Sequence, residues 1–265
     1  MLKNNKLKKT NLNINLNQMK FYGLVTVRTG STRLKKKCLL NFGKVNIIEH
    51  IIQRSLKRNI IPIICTTQSK NDDIIVKISK KLKVKYFRGS TRNKIKRWHD
   101  CVKKFKIKFF HTIDADDPYF DELAIKNSLK LIKNSKYDIV FPSKISREGA
   151  ASEGYSFSFE AIERLNNSIK KNYKKYKNID TEMIERFIDI KKFKIKKFKG
   201  MYYQLKKIRL TLDYKEDYIM LNEIQKKLGN YISRKKINKF LKNNKEIAKI
   251  NFFRNSDWAK KQNSI

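Results

Sequence analysis

The chain has 265 residues, 40% apolar and 33% charged, with 64 basic against 24 acidic side chains and a formal net charge of +40. That apolar fraction supports a packed core and excludes wholesale disorder, while no apolar run approaches the roughly eighteen residues a bilayer span needs, so no membrane insertion is expected. Cys38, Cys65 and Cys101, an odd number without CxxC spacing, argue against a disulfide framework and a zinc site and for a reducing, cytoplasmic setting.

The charge invites a nucleic-acid reading, but 51 of the basic residues are Lys and only 13 are Arg. A DNA reader is expected to concentrate Arg for bidentate contacts. Here Lys runs along the whole chain, and its abundance beside Ile and Asn matches A/T-rich codon usage. Solvated Lys faces and no specific nucleic-acid partner are therefore expected, with salt-sensitive adhesion to polyanions as a side effect. A non-catalytic basic nucleic-acid-binding protein stays as the alternative from another class.

Residues 1–20 are basic and Asn-rich, carry no helical face and no apolar stretch of the secretory kind, and are expected to form a disordered tail. Order is expected from Phe21 onward as one domain to 265. Residues 21–27 read as a buried strand, and 46–58 as a helix with an Ile stripe. Residues 60–66 are the next strand, followed by a helix over 72–82 whose start is marked by Asn71 and two acids. Strands at 84–87, 108–113 and 137–142 alternate with helices at 92–105 and 121–132, the latter capped by Asp121. Such alternation predicts an α/β chain with a mostly parallel sheet. Beyond it come a strand at 154–159, a helix at 159–165, a Lys-rich connector at 166–178 and a helix at 181–188. An alternating edge strand at 191–199, a strong strand at 208–214, a helix at 215–228 and a final helix at 233–241 complete the prediction.

Ligands of open α/β sheets bind beyond the carboxyl ends of the strands. After the first strand comes Arg28-Thr29-Gly30-Ser31-Thr32-Arg33-Leu34-Lys35-Lys36-Lys37, a loop of hydroxyls, one glycine and fixed cations. Such a loop suits a polyphosphate, yet it has neither Walker A nor GxGxxG spacing, and a plain basic turn reads as well. After the strand at 108–113 sit Asp114, Asp116 and Asp117. Like charges bunched at a strand end favour a cation, and Mg2+ takes one or two carboxylates plus phosphate. Asp213 ends the strand predicted at 208–214 and fits a turn or helix cap equally. Arg88 beside Gly89 follows the third strand, and Glu153 follows a small-residue loop. His50, His99 and His111 form no visible triad and are read as packing residues.

Taken together, Val27 to Leu34 with Lys37 to Leu40 resembles the opening motif of the cytidylyltransferase family, which includes the spore coat polysaccharide biosynthesis protein F type, the acylneuraminate cytidylyltransferases and the CMP-Kdo synthetases. The resemblance continues, in the family's order, through residues 86–90, 114–118, Glu153 with 157–159, and 209–213 with 216–218. The chain departs from the usual pattern at Lys35 and Lys36, where the family has Pro-Gly, at Ala115 in place of Gly, and at Asp117 in place of Cys or Glu. The resemblance implies a three-layer α/β/α Rossmann-like, GT-A-like fold with a small β arm and Mg2+-dependent transfer of CMP from CTP to a sugar, with pyrophosphate released. Another nucleoside triphosphate, or an alditol phosphate acceptor, is the variant within the class. Arg28, Arg33, Lys37 and Asp116 would carry catalysis, and Gly30, Ser31, Arg88, Gly89 and Ser90 would help hold nucleotide. Asp116 and Asp213 would hold the metal, with Asp114 behind them. Glu153, Thr181 and Glu182 would face the acceptor. Residues 145–205 would form an arm that makes a homodimer.

Overall fold

The structure, a computed structural model, describes residues 20–134, 137–150, 153–172, 180–181 and 183–263. The predicted tail therefore lies outside the described residues apart from Lys20, as does Glu182. A seven-stranded sheet has the order β5-β4-β1-β6-β8-β7-β9. Its strands are β1 (Tyr22–Thr26), β4 (Ile61–Thr67), β5 (Lys85–Gly89), β6 (Phe109–Asp114), β7 (Ile139–Phe141), β8 (Ser156–Ser158) and β9 (Ile195–Lys197). β1 pairs in parallel with β4 and β6, and β4 with β5, whereas β8 runs antiparallel to both β6 and β7. β9, from the segment predicted as an edge strand, pairs in parallel with β7 and closes the outer edge of this sheet. A separate two-stranded ribbon joins β2 (Asn41–Phe42) to β3 (Val45–Asn46).

Residues alternate across the strands and feed two apolar layers. On one face Val25, Ile64 and Ile113 pack against α1 (Ile47–Lys57), α2 (Asp73–Lys81) and α4 (Glu122–Asn134). On the other, Leu24, Ile63 and Phe110 pack against α3 (Lys94–Lys104) and α5 (Phe159–Lys171). The first layer also receives α6 (Lys215–Leu228), α7 (Arg234–Asn243) and α8 (Lys245–Phe252), and α9 (Arg254–Asn263) follows. Helix starts follow local chemistry: Asn46 and Glu49 close a reciprocal capping box on α1, Asn93 caps α3, and Asp121 accepts from Leu123 and Ala124 N–H at α4.

Several expectations are corrected. Segment 208–214 is largely buried but joins no sheet; it touches the strand region through Leu212 N–H donating to Asp116 O at 2.7 Å. Alternating aliphatics specify extension and burial, but a strand also needs a neighbour with an open edge. The connector predicted at 166–178 begins as helix, because α5 runs on to Lys171. Among the described residues of the helix predicted at 181–188, only the short 3-10 turn Ile184–Phe187 forms. Ser69, not Asn71, caps the turn that precedes α2. The helix at 233–241 is not final, since two more follow. All three cysteines are buried and free. Among the described residues no helix is long and apolar enough to cross a membrane.

Two buried histidines give the fold a pH dependence. His50 Nε2 donates to Pro118 O at 2.8 Å while Asn230 donates to its Nδ1, and His111 Nε2 accepts from Gly154 N–H at 3.1 Å while its Nδ1 donates to Ser156. Both are satisfied as neutral rings. Burial pushes each down to about 3, with the Arg54 charge adding at His50. Above the ordinary His value both folded and unfolded forms are neutral; below it only the unfolded chain takes up the protons. Stability is therefore expected to fall from pH 6.5 downward by about 1.4 kcal/mol per pH unit for each histidine. Urea unfolding at pH 7.5, 6 and 5 checks this, and a flat profile contradicts it.

Candidate active site

From β1 the chain crosses to β4 and β5 on one side and then returns to β6 on the other. The carboxyl ends of β1 and β6 thus flank the topological switch point, where an open sheet leaves a crevice. The loop after β1 is held from below. Asp72 Oδ1 accepts from Thr29 N–H and Thr29 Oγ1, both at 2.8 Å, and its other oxygen accepts from Thr67. Burial opposes ionisation of Asp72, but the hydrogen bonds from Thr67 and Thr29 outweigh it and keep the carboxyl below its usual range. Asp72 was expected to mark a helix start; its side chain makes no cap there and anchors this loop instead.

Segment 208–214 completes the site from a distant part of the chain. The Leu212–Asp116 backbone bond sets Asp213 beside Asp116. Lys37 Nζ then bridges the two carboxylates, 2.7 Å from Asp116 Oδ2 and 2.8 Å from Asp213 Oδ1. Arg33 Nη2 lies 2.8 Å from the same Asp213 oxygen, and Arg209 Nη2 lies 3.2 Å from the other. Burial alone would lower the Lys37 ammonium, but the charges of Asp116 and Asp213 more than reverse this and raise it. Burial likewise opposes the charge on Asp116, and Lys37 overrides it, so the carboxyl is held low. Behind Asp213, the fully buried Asp217 accepts from Arg209, from Asn251 and from the backbone N–H groups of Asp213 and Tyr214.

Two cavities adjoin this cluster. One of about 230 Å³ is lined by Arg28, Gly30, Ser31, Arg33, Lys37 and Arg97, among others. The second, of about 360 Å³, shares Arg33, Asp114 and Asp116 with the first and extends to Glu153, Arg147 and Tyr155. A Cβ on Gly30 would meet open space.

Of the residues singled out from sequence, Arg28, Gly30, Ser31, Arg33, Lys37, Asp114, Asp116, Asp213 and Glu153 all line one or both cavities. Arg28 also pairs with Asp180 at 3.8 Å. Glu153 accepts from Ser143 N–H and from Gln204, and burial raises its carboxyl. Arg88, Gly89 and Ser90 are placed elsewhere. Arg88 donates to Thr67 O and Ser69 O and pairs with Asp73, and Ser90 O accepts from Arg97. Gly89 leaves room for Arg97, which a Cβ would crowd. Gly89 and Ser90 therefore border Arg97, and none of the three residues lines either cavity. Thr181 is buried against the start of α3, where its Oγ1 accepts from Ile95 N–H.

Sequence reasoning missed Lys94 and Arg97. Lys94 Nζ lies 3.3 Å from Asp114 and over the Trp98 ring. Arg97 is buried in the first cavity wall, and its Nε has no hydrogen-bond partner among the described residues. Their spacing with Trp98, three and four along one helix face just after a cap, was the available signal.

The left-handed turn before Lys37 falls on Lys36, with φ +49°. That is the position at which the resemblance marks a usual glycine. An L side chain there costs roughly 1–2 kcal/mol, against roughly 0.5–1 kcal/mol of extra chain entropy for glycine. Lys36→Gly is therefore expected to raise stability by about 0.5 kcal/mol in denaturant titration, and a clear loss contradicts the strain.

Among the described residues no cluster of three or more His, Cys, Asp or Glu side chains forms a metal cage. The two carboxylates that share the Lys37 ammonium already converge on one cationic centre, which fits an ion that takes one or two carboxylates and leaves its other positions to phosphate and water.

A basic loop and paired carboxylates thus meet at the switch point of this sheet. The family model described as Cytidylyltransferase matches residues 22–254, and the chain belongs to that family. An uncharacterized protein of Methanocaldococcus jannaschii is 29% identical over 236 residues, 88% of this chain and 95% of that protein. A 3-deoxy-manno-octulosonate cytidylyltransferase of Rickettsia canadensis is 29% identical over 132 residues, 47% of this chain and 53% of that enzyme, so the match spans about half of each. Among solved structures, a cytidylyltransferase from Leptospira borgpetersenii aligns with TM-score 0.73 and 25% identity over 87% of this chain and 97% of its own. A CMP:2-keto-3-deoxy-manno-octonic acid synthetase complexed with CTP shares the fold, with TM-score 0.59 and 10% identity over 79% of this chain and 99% of its own.

Proposed function

We propose that the protein transfers CMP from CTP to a sugar acid, with Mg2+ as cofactor and pyrophosphate as the second product. The observation that carries this reading is the Lys37 ammonium tying Asp116 to Asp213 at the wall shared by two cavities. In it, Arg28, Arg33, Lys37 and Arg97 with the Ser31 hydroxyl hold the triphosphate, and Gly30 leaves room for it. Asp116 and Asp213, with Asp114 nearby, would hold Mg2+, which would supply charge neutralisation at the α-phosphate. The acceptor hydroxyl approaches from the second cavity, where Arg147 offers a cation to an anionic sugar and Glu153 accepts from its hydroxyls. Nucleotidyl transfer of this kind depends on in-line positioning and on charge stabilisation, which a rigid network of buried ion pairs provides. Two copies would pair through the 145–205 region, which includes the outer edge of β9.

Pyrophosphate release from CTP with Mg2+ and a panel of sugar acids tests the reading, with GTP, UTP and ATP as parallel arms. Bound nucleotide also raises the melting temperature by mass action. A shift with GTP or UTP and none with CTP rejects the cytidyl assignment. Tight DNA binding that survives physiological salt favours the polyanion-binding alternative.

A further inference from the structure

The second cavity has a wall from the end of the chain. Trp258 of α9 lines it, yet the family match stops at residue 254. The helix that carries Trp258 is locked to the site. Arg254 forms a two-pronged pair with Glu216, at 3.0 and 2.9 Å. Asn255 Oδ1 accepts from Arg209 Nη1 at 3.1 Å, and Arg209 is the residue that grips Asp213 and Asp217. Gly149 adopts φ +105°, and a Cβ there would collide with Asn255 Oδ1, so the turn that carries Arg147 is shaped to receive this helix. Three and four residues on from these anchors, Trp258 falls on the same helix face.

The chain has two tryptophans, and both line this cavity. Trp98 is nearly fully buried, with its Nε1–H committed to Thr26 Oγ1 at 2.8 Å and Lys94 over its ring. Trp258 is only partly buried. An indole face is a rigid apolar surface with few torsions to freeze, and ligand cavities pair such surfaces with a few placed polar groups. A pyranose ring has the matching shape: an apolar C–H face and hydroxyls around its edge.

We infer that α9 is a specificity element of this chain, and that the Trp258 indole packs on the apolar face of the acceptor sugar and sets which sugar acid is taken. The inference rests on the proposed cytidylyl transfer. Trp258→Ala is expected to raise the KM for the acceptor at least tenfold while kcat stays within about threefold and the KM for CTP is unchanged. Trp258→Phe keeps an aromatic face and is expected to stay within about threefold of the parent in all three. In the CTP-loaded parent, 3-deoxy-manno-octulosonate or N-acetylneuraminate is expected to change the tryptophan fluorescence, and Trp258→Phe to lose most of that change. A melting curve on each variant reports whether α9 is still docked. An unchanged acceptor KM in a normally melting Trp258→Ala protein overturns the inference, as does a parent whose fluorescence neither sugar acid alters. The CTP-induced melting shift separates the two claims. Its absence in the parent removes the nucleotide site and this inference with it, whereas its presence beside either of those failures removes the inference alone.

Discussion

Asp116→Asn is expected to lower turnover by about a thousandfold, roughly 4 kcal/mol of transition-state stabilisation, while the melting temperature moves by no more than a few degrees. The size follows from what is removed. Asp116 carries one of the two carboxylates that meet at the Lys37 ammonium, and it stays ionised despite burial because Lys37 overrides the desolvation. Asparagine keeps the shape but offers no charge to a divalent ion. The fold is spared because Lys37 retains Asp213, and because the Asp116 contact to segment 208–214 runs through its backbone oxygen. Pyrophosphate release under saturating CTP and Mg2+, with unfolding followed alongside, checks both halves. Turnover within threefold of the parent removes Asp116 from the metal site.

Asp217→Asn is expected to destabilise the fold by about 3–5 kcal/mol, roughly 10 °C in melting temperature for a chain of this size. Asp217 and Arg209 are both fully buried, and the carboxylate accepts from Arg209 Nε and Nη2, from Asn251 Nδ2 and from two backbone N–H groups. An amide would present N–H to donors on one side and leave Arg209 with only Asp213 as an ionic partner. Breaking a buried pair at one end strands a charge, which costs far more than an exposed pair contributes. Because Asp213 N–H is one of the groups held, turnover is expected to fall as well. Urea unfolding that matches the parent within 1 kcal/mol contradicts the account.

Much of this was legible before any coordinates. Ile stripes and β-branched runs set the helices and the main-sheet strands through β7 to within a few residues, because periodicity and burial agree there, whereas the two-residue strands β2 and β3 went unread. Segment 208–214 shows where that logic stops. Its alternation correctly signals a buried stretch, but whether such a stretch pairs depends on where the packing of the layers sets it, and it joins no sheet. Arg88 next to Gly89 suggested a ligand contact by composition, yet its donors are taken up by Thr67, Ser69 and Asp73. Charge type is written in the sequence; which opposite charge lies within reach is not.

By itself the sequence determined that this is an α/β chain with a cationic loop after its first strand and acids after a later one, since those depend on side chains and near neighbours alone. Only the tertiary structure decided that Lys37, Asp116 and Asp213 meet, that Arg97 joins them, and that Trp258 walls the second cavity. Contacts across more than 170 positions, such as Lys37 to Asp213, arise from how the layers pack, and no local pattern encodes them.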